Sequence, residues 1–164
     1  LTRDLIIGYG NPDRQDDGVA WHILIGVQSQ LGRPVPESFE EGLWPMGDNP
    51  DFLFSLQLTP ETAEIIAGYD RVCFVDAHTG NIKEDLHIEL VPASYTQSPF
   101  THHMTPATCI YLVEHIFGVN PEAILVSVRG YDFEFSHTLS RKTELLAQEA
   151  VTQIMGWLES KNEA

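Results

Sequence analysis

The chain has 164 residues and a formal charge of −15, from 24 acidic and 9 basic side chains. Its length and 43% hydrophobic content suit one domain over residues 1–164, with a polar tail after about residue 160. The charge argues against nucleic acid, whose phosphates reward Lys and Arg, and no apolar run reaches the roughly 20 residues that span a bilayer.

A basic peptide or a metal-bearing partner fits the acidic field, although the charge also serves plain solubility. No basic-then-apolar leader precedes the first strand. Cys73 and Cys109 fall on apolar stretches and are expected as reduced core residues. A cytoplasmic location and a monomeric state are the resulting expectations.

Leu5-Ile6-Ile7 is a short apolar run closed by Gly8, the pattern of a strand covered on both faces. Helical periodicity begins at Asp16, with Val19, Ala20, Ile23, Leu24, Val27 and Leu31 as one stripe and Gly32 and Pro34 as the stop. Residues 34–56 have no clear period. Ser38–Glu41 is a candidate short strand, and the Trp44–Pro50 stretch is a loop by its turn residues. Trp44, Met46, Phe52 and Phe54 either pack under that loop or form a partner surface; packing is favoured.

Thr59-Pro60-Glu61 is a helix start, with a hydroxyl cap, a proline at the first helical position and then an acid. That helix stops near Gly68. Arg71–Asp76 is a second buried strand with Asp76 at its carboxyl end, and Leu86–Val91 alternates like an edge strand. Thr105-Pro106 repeats the helix start, with Cys109, Leu112, Val113, Ile116 and Phe117 as its stripe. Ile124–Val128 is a further buried strand. Ser140 caps a final helix carrying Leu146, Ala150, Ile154 and Leu158. Strands alternating with helices predict an α/β sandwich, a mostly parallel sheet with helices on both faces.

Ligands of open α/β sheets bind beyond the carboxyl ends of the strands. Asp16, Asp17 and Asp76 reach that edge, and a helix-start histidine can join them. Two carboxylates and an imidazole suit Zn, Ni or Fe. Gly8-Tyr9-Gly10 is not a dinucleotide fingerprint, because the third glycine is replaced by Asp13 and the nearby acids repel a pyrophosphate. The glycines instead allow a tight turn that brings the carboxylates to the strand end.

Asp17 is either a metal contact or only a favourable charge at a helix N-terminus, and Asp16 is the better candidate for the cap. His102 and His103 are adjacent, so at most one joins the cluster. His22 and His115 sit within helices. His78 and His137 fall in loops and are possible supports for a metal ligand. No Gly-x-Ser-x-Gly elbow is present, which disfavours a covalent serine hydrolase.

Taken together, Gly8-Tyr9-Gly10-Asn11-Pro12 with Asp16-Asp17-Gly18, Gln57-Leu58-Thr59-Pro60-Glu61, Val75-Asp76-Ala77 and Thr101-His102-His103 with Thr105-Pro106 resemble the maturation endopeptidases of nickel–iron hydrogenases. The resemblance runs from about Leu5 to Leu158. It implies a twisted sheet of about five strands in a three-layer sandwich. It also implies an endopeptidase that removes a C-terminal extension from the hydrogenase large-subunit precursor after nickel insertion.

In that family the nickel belongs to the substrate, and no nucleotide or organic cofactor is implied. By position, the metal-contacting and catalytic residues are Asp17, Asp76 and His103, with Asp16, His102 and Gln57 as possible supports. One segment departs from the family. The glycine-rich Asp-Gly-Gly-Thr stretch of many relatives is replaced and lengthened here, ending in Phe54–Thr59, so Gln57 and the Trp44 loop become candidates for substrate choice. The alternatives are a non-proteolytic nickel-binding or metallochaperone module, and a protease of the same family acting on another protein.

Overall fold

The computed structural model describes residues 1–95 and 104–160. In chain order the elements are β1 (Asp4–Tyr9), a 3-10 turn (Gln15–Gly18), α1 (Val19–Gln30), a second 3-10 turn (Phe39–Glu41), β2 (Asp51–Ser55) and α2 (Pro60–Ile66). These are followed by β3 (Arg71–His78), β4 (Leu86–Leu90), α3 (Pro106–Phe117), β5 (Glu122–Arg129) and α4 (Arg141–Ser160). The five strands form one sheet in the order β2-β1-β3-β5-β4. All neighbours run parallel except β4, which pairs antiparallel with β5 at one edge.

Period-two alternation sorts the strand side chains into two cores. Ile6, Cys73, Val75, Val126 and Val128 face α1 and α4, whose stripes supply Ile23, Leu24, Val27, Ala150, Val151 and Ile154. Leu5, Ile7, Val72, Phe74 and Ala123 face α2 and α3, which supply Ala63, Ile66, Cys109, Ile110 and Val113. Helices therefore cover both faces, and the central strands can be apolar throughout. Cys73 and Cys109 are buried free thiols, and burial pushes the Cys109 thiol up to about 12.

The predicted elements and the observed ones differ in four places. Ser38–Glu41 is not a strand: Phe39–Glu41 turns as 3-10 helix. The second strand is Asp51–Ser55, whose apolar run is only three residues and begins on a buried aspartate. Phe52 is buried and Phe54 half-buried, whereas Trp44 and Met46 are 64% and 81% exposed, so the four aromatic and sulfur side chains divide between core and surface. On α3, Ile116 and Phe117 face solvent while Thr108 and Ile110 are buried, which rotates the apolar stripe by about a residue.

Both proline-led helix starts are real. Thr105 caps α3 by accepting from the Thr108 N–H at 3.2 Å. Thr105→Ala is expected to lower stability by about 1 kcal/mol, the usual worth of such a cap, read as a lower urea midpoint with unchanged slope.

At the amino-terminal edge of the sheet, the buried Arg71 guanidinium grips Asp4 through Nε and Nη2 at 2.8 and 3.1 Å and lies over the Trp157 ring. This pair fastens β1, β3 and α4 at the end opposite the site. No helix of the described residues is long and apolar enough to cross a membrane.

Candidate active site

β1 runs beside β3, with Gly8 opposite Val75. Next in register are Tyr9 and Asp76, and Asp76 in turn lies opposite Ser127 on β5. Tyr9, Asp76 and Ser127 share the parity of Ile7, Phe74 and Leu125, so all three project to the α2/α3 face. There the Tyr9 Oη–H donates to Asp76 Oδ2 at 2.7 Å, and the Ser127 Oγ–H donates to Asp76 Oδ1 at 2.7 Å. Asp76 lies within β3, which runs two residues further, to His78.

Burial raises the Asp76 carboxyl above its ordinary range, and the hydrogen bonds from Ser127 and Tyr9 only partly offset it. Burial, and then the adjacent Asp76 charge, push the Tyr9 phenol well above its usual value.

Beyond Tyr9 the chain turns at Gly10, where φ is +139°. A Cβ there would overlap the Asp17 carbonyl oxygen, so only glycine lets the turn at Asp17 pack this closely on the strand end. The Asp17 carboxylate accepts from the Asn11 N–H at 3.0 Å. Asp17, Asp76, Tyr9, Gly10, Gln57 and Met104 line a cleft of about 190 Å³, together with Leu56, Leu58 and Ala77. None of these residues is Lys or Arg, so among the described residues no basic side chain lines the cleft to neutralise the two carboxylates.

Asp16 points elsewhere and corrects its expected role. Neither the Gln15–Gly18 turn nor α1 has a side-chain cap. Asp16 is fully buried, and its carboxylate instead reaches residues 115 to 127 positions away. It accepts from the N–H groups of Tyr131 and Asp132 at 2.8 and 2.9 Å and from the Ser140 N–H and Oγ–H at 2.8 and 2.6 Å. The Thr143 hydroxyl, 2.9 Å away, sits between this carboxylate and the Arg129 carbonyl. Asp16 therefore fastens the 130–140 loop and the start of α4, not its own helix. Burial alone would raise its pKa, but the Ser140, Asp132 and Tyr131 hydrogen bonds outweigh it and hold the carboxyl below the ordinary value.

The histidines separate. His102 and His103 lie outside the described residues. His78 is buried and closes the β3–β4 turn, with its Nδ1 accepting from the Gly80 N–H and its Nε2–H donating to the Glu84 carbonyl. Both ring nitrogens are thus engaged in the turn, and neither is left for the cleft. His137 pairs with Asp13 at 2.6 Å on the surface, His115 stacks on Tyr111, and half-buried His22 has its pKa lowered by burial. Among the described residues, no group of three or more His, Cys, Asp or Glu side chains is placed to hold a metal ion.

Tyr9 and Ser127 are the site residues missing from the sequence expectations. Ser127 carried the signal: it is the single polar residue inside Ile124–Val128, and a buried hydroxyl in such a run needs a partner. Tyr9 was masked by its glycine neighbours, which explained the turn without it.

No family model and no curated protein matches the chain. Solved structures do. The hydrogenase maturating endopeptidase HybD from E. coli is 21% identical, with a TM-score of 0.71, over 97% of this chain and 93% of that one. A [NiFe] hydrogenase maturation protease HybD from Thermococcus kodakarensis is 15% identical, with a TM-score of 0.66, over 95% of this chain and 99% of that one. A hydrogenase 2 maturation peptidase from a Thaumarchaeota archaeon is 18% identical, with a TM-score of 0.61, over 96% and 98%. Across nearly its whole length, then, this chain has the fold of the hydrogenase maturation endopeptidases.

Proposed function

We propose that the chain is an endopeptidase that removes the C-terminal extension of a nickel–iron hydrogenase large-subunit precursor once nickel is in place. The observation that carries this reading is the cleft itself: Asp17 and Asp76, 59 residues apart in sequence, line one small hollow at the strand ends with no basic side chain among its described lining residues. Its support is the shared fold and the order of the four sequence motifs.

In this reading the substrate brings its own nickel. Asp17, Asp76 and His103 receive the ion, which docks the precursor and places the scissile peptide over the cleft. The metal polarises the scissile carbonyl, or one of the carboxylates takes a proton from the attacking water. Hydrolysis then gives a new carboxylate on the mature subunit and a new amine on the released extension. Because the docking groups bind the metal rather than the peptide alone, a precursor without nickel is a poor substrate. Gln57 and Leu56 on the rim contact the segment flanking the cut.

The test is direct. Nickel-loaded precursor is incubated with the full chain and weighed by mass spectrometry. The expected result is loss of a discrete C-terminal peptide from the loaded precursor and none from the nickel-free form. An unchanged mass with nickel transferred to the protein would identify a metal-carrying module instead. Equal cleavage with and without nickel would remove the metal from recognition.

A further inference from the structure

We propose, resting on the reading above, that Tyr9 and Ser127 are positioning residues whose hydroxyls hold the Asp76 carboxylate in the orientation that receives the metal. A carboxylate on a free side chain rotates about its last bond and presents a changing set of lone pairs. Asp76 does not have that freedom. Each of its oxygens accepts from one hydroxyl at an oxygen-to-oxygen distance of 2.7 Å, and the two donors come from the strands on either side. The carboxylate is clamped across three adjacent strands of a parallel sheet, which is a rigid frame.

The chemistry of the donors matters as much as their position. A carboxylate has about four lone-pair sites, and two hydroxyls occupy two of them. Asp76 also lines the cleft, where its remaining sites can meet a ligand. Both donors are neutral, so they orient the group without cancelling its charge, as Arg or Lys would. A metal cation meets a carboxylate that is pre-aligned, partly dehydrated and free of a competing cation. Partners of this kind around a metal ligand change metal affinity by about 10–100-fold.

Tyr9 is the sharper probe of the two. Its ring packs against the α2/α3 core while its hydroxyl alone reaches Asp76. Tyr9→Phe keeps the packing and deletes one donor. Ser127→Ala removes the other donor from the opposite oxygen.

The experiment uses the full chain and nickel ion alone, titrated by calorimetry, with thermal unfolding measured on the same samples. Tyr9→Phe and Ser127→Ala are each expected to weaken nickel binding by about 10-fold or more, with a Tm close to that of the wild type. With nickel-loaded precursor, the loss in Tyr9→Phe is expected mainly in KM. Asp76→Asn serves as the reference and is expected to bind nickel far more weakly than either. If Asp76→Asn loses nickel while Tyr9→Phe and Ser127→Ala bind as the wild type does, positioning is overturned and metal docking stands. If Asp76→Asn itself binds nickel normally, both are overturned. A fall in Tm with unchanged nickel affinity would assign the hydroxyls to stability alone and also overturns the proposal.

Discussion

Asp17→Asn and Asp76→Asn should each lower cleavage of nickel-loaded precursor by about 10²–10⁴-fold while leaving the protein folded. Both substitutions keep the shape and remove the charge that is proposed to receive the metal. In Asp17→Asn the side-chain carbonyl can still accept from the Asn11 N–H. At position 76 both partners are hydroxyls, which rotate to suit an amide.

The pKa of Asp76 sharpens this prediction. A carboxyl whose folded pKa lies above its unfolded value favours the protonated form on folding. Its charge therefore opposes folding at neutral pH, and that penalty lifts as the pH falls through the raised pKa. Removing the charge relieves the penalty. Asp76→Asn should thus be at least as stable as the wild type at pH 7 while nearly inactive. Thermal melts and precursor mass measured on one preparation check the pair. Wild-type cleavage by either variant would end the assignment of that residue, and an unfolded Asp76→Asn would show that the carboxylate serves the fold.

Asp16→Ala should be the most destabilising single change near the site, by about 3–5 kcal/mol. It strips a buried carboxylate from the backbone N–H groups of Tyr131, Asp132 and Ser140 and from two hydroxyls, leaving buried donors without their acceptor. Against a typical total of about 5–15 kcal/mol this is a large share, equivalent to a fall in Tm of roughly 10 °C for a chain of this size.

The sign of the pH dependence follows from the depressed pKa. The unfolded state binds the Asp16 proton more tightly than the folded state does. Its contribution is therefore full above the ordinary aspartate value near pH 4 and is lost as pH falls through the lower folded value. Asp16→Asn is the isosteric control. Urea unfolding at a series of pH values should show a gap between wild type and Asp16→Asn that is constant from pH 7 to about 5 and narrows below about 4. A gap that persists undiminished to pH 2 would show that shape, not charge, holds the loop.

How much of this was legible in the sequence depends on the range of each interaction. The β1, β3 and β5 strands were readable because a strand buried on both faces must be apolar throughout, and Leu5–Ile7, Val72–Val75 and most of Ile124–Val128 are. The Thr59-Pro60 and Thr105-Pro106 starts were readable because capping is settled within four residues. β2 was not, since Phe52-Leu53-Phe54 is too short to show a period and opens on Asp51, whose carboxylate is satisfied by Tyr69 and by backbone N–H groups of its own loop. Gly10 was assigned a tight turn from local pattern, and the overlap a Cβ would make with Asp17 is its physical reason. The Tyr9–Asp76–Ser127 row was hidden because it exists only once strand register is fixed. Asp16 was misread for a related reason: a helix-start acid looks like a cap for its own helix, and its actual partners lie more than a hundred residues downstream.

That last reach bears on the order in which a growing chain becomes competent. The motif that sets Asp17 against the strand end is synthesised more than a hundred residues ahead of the segment that anchors it. Its anchor, the neighbouring Asp16, stays without partners until the segment from Tyr131 to Thr143 has also emerged. A nascent chain stopped before that point has the acids of the cleft and their bonds to Tyr9, Asn11 and Ser127, but lacks the Asp16 anchor of the turn that carries Asp17. The turn beside the cleft is therefore fastened late, once the start of α4 has packed against Asp16.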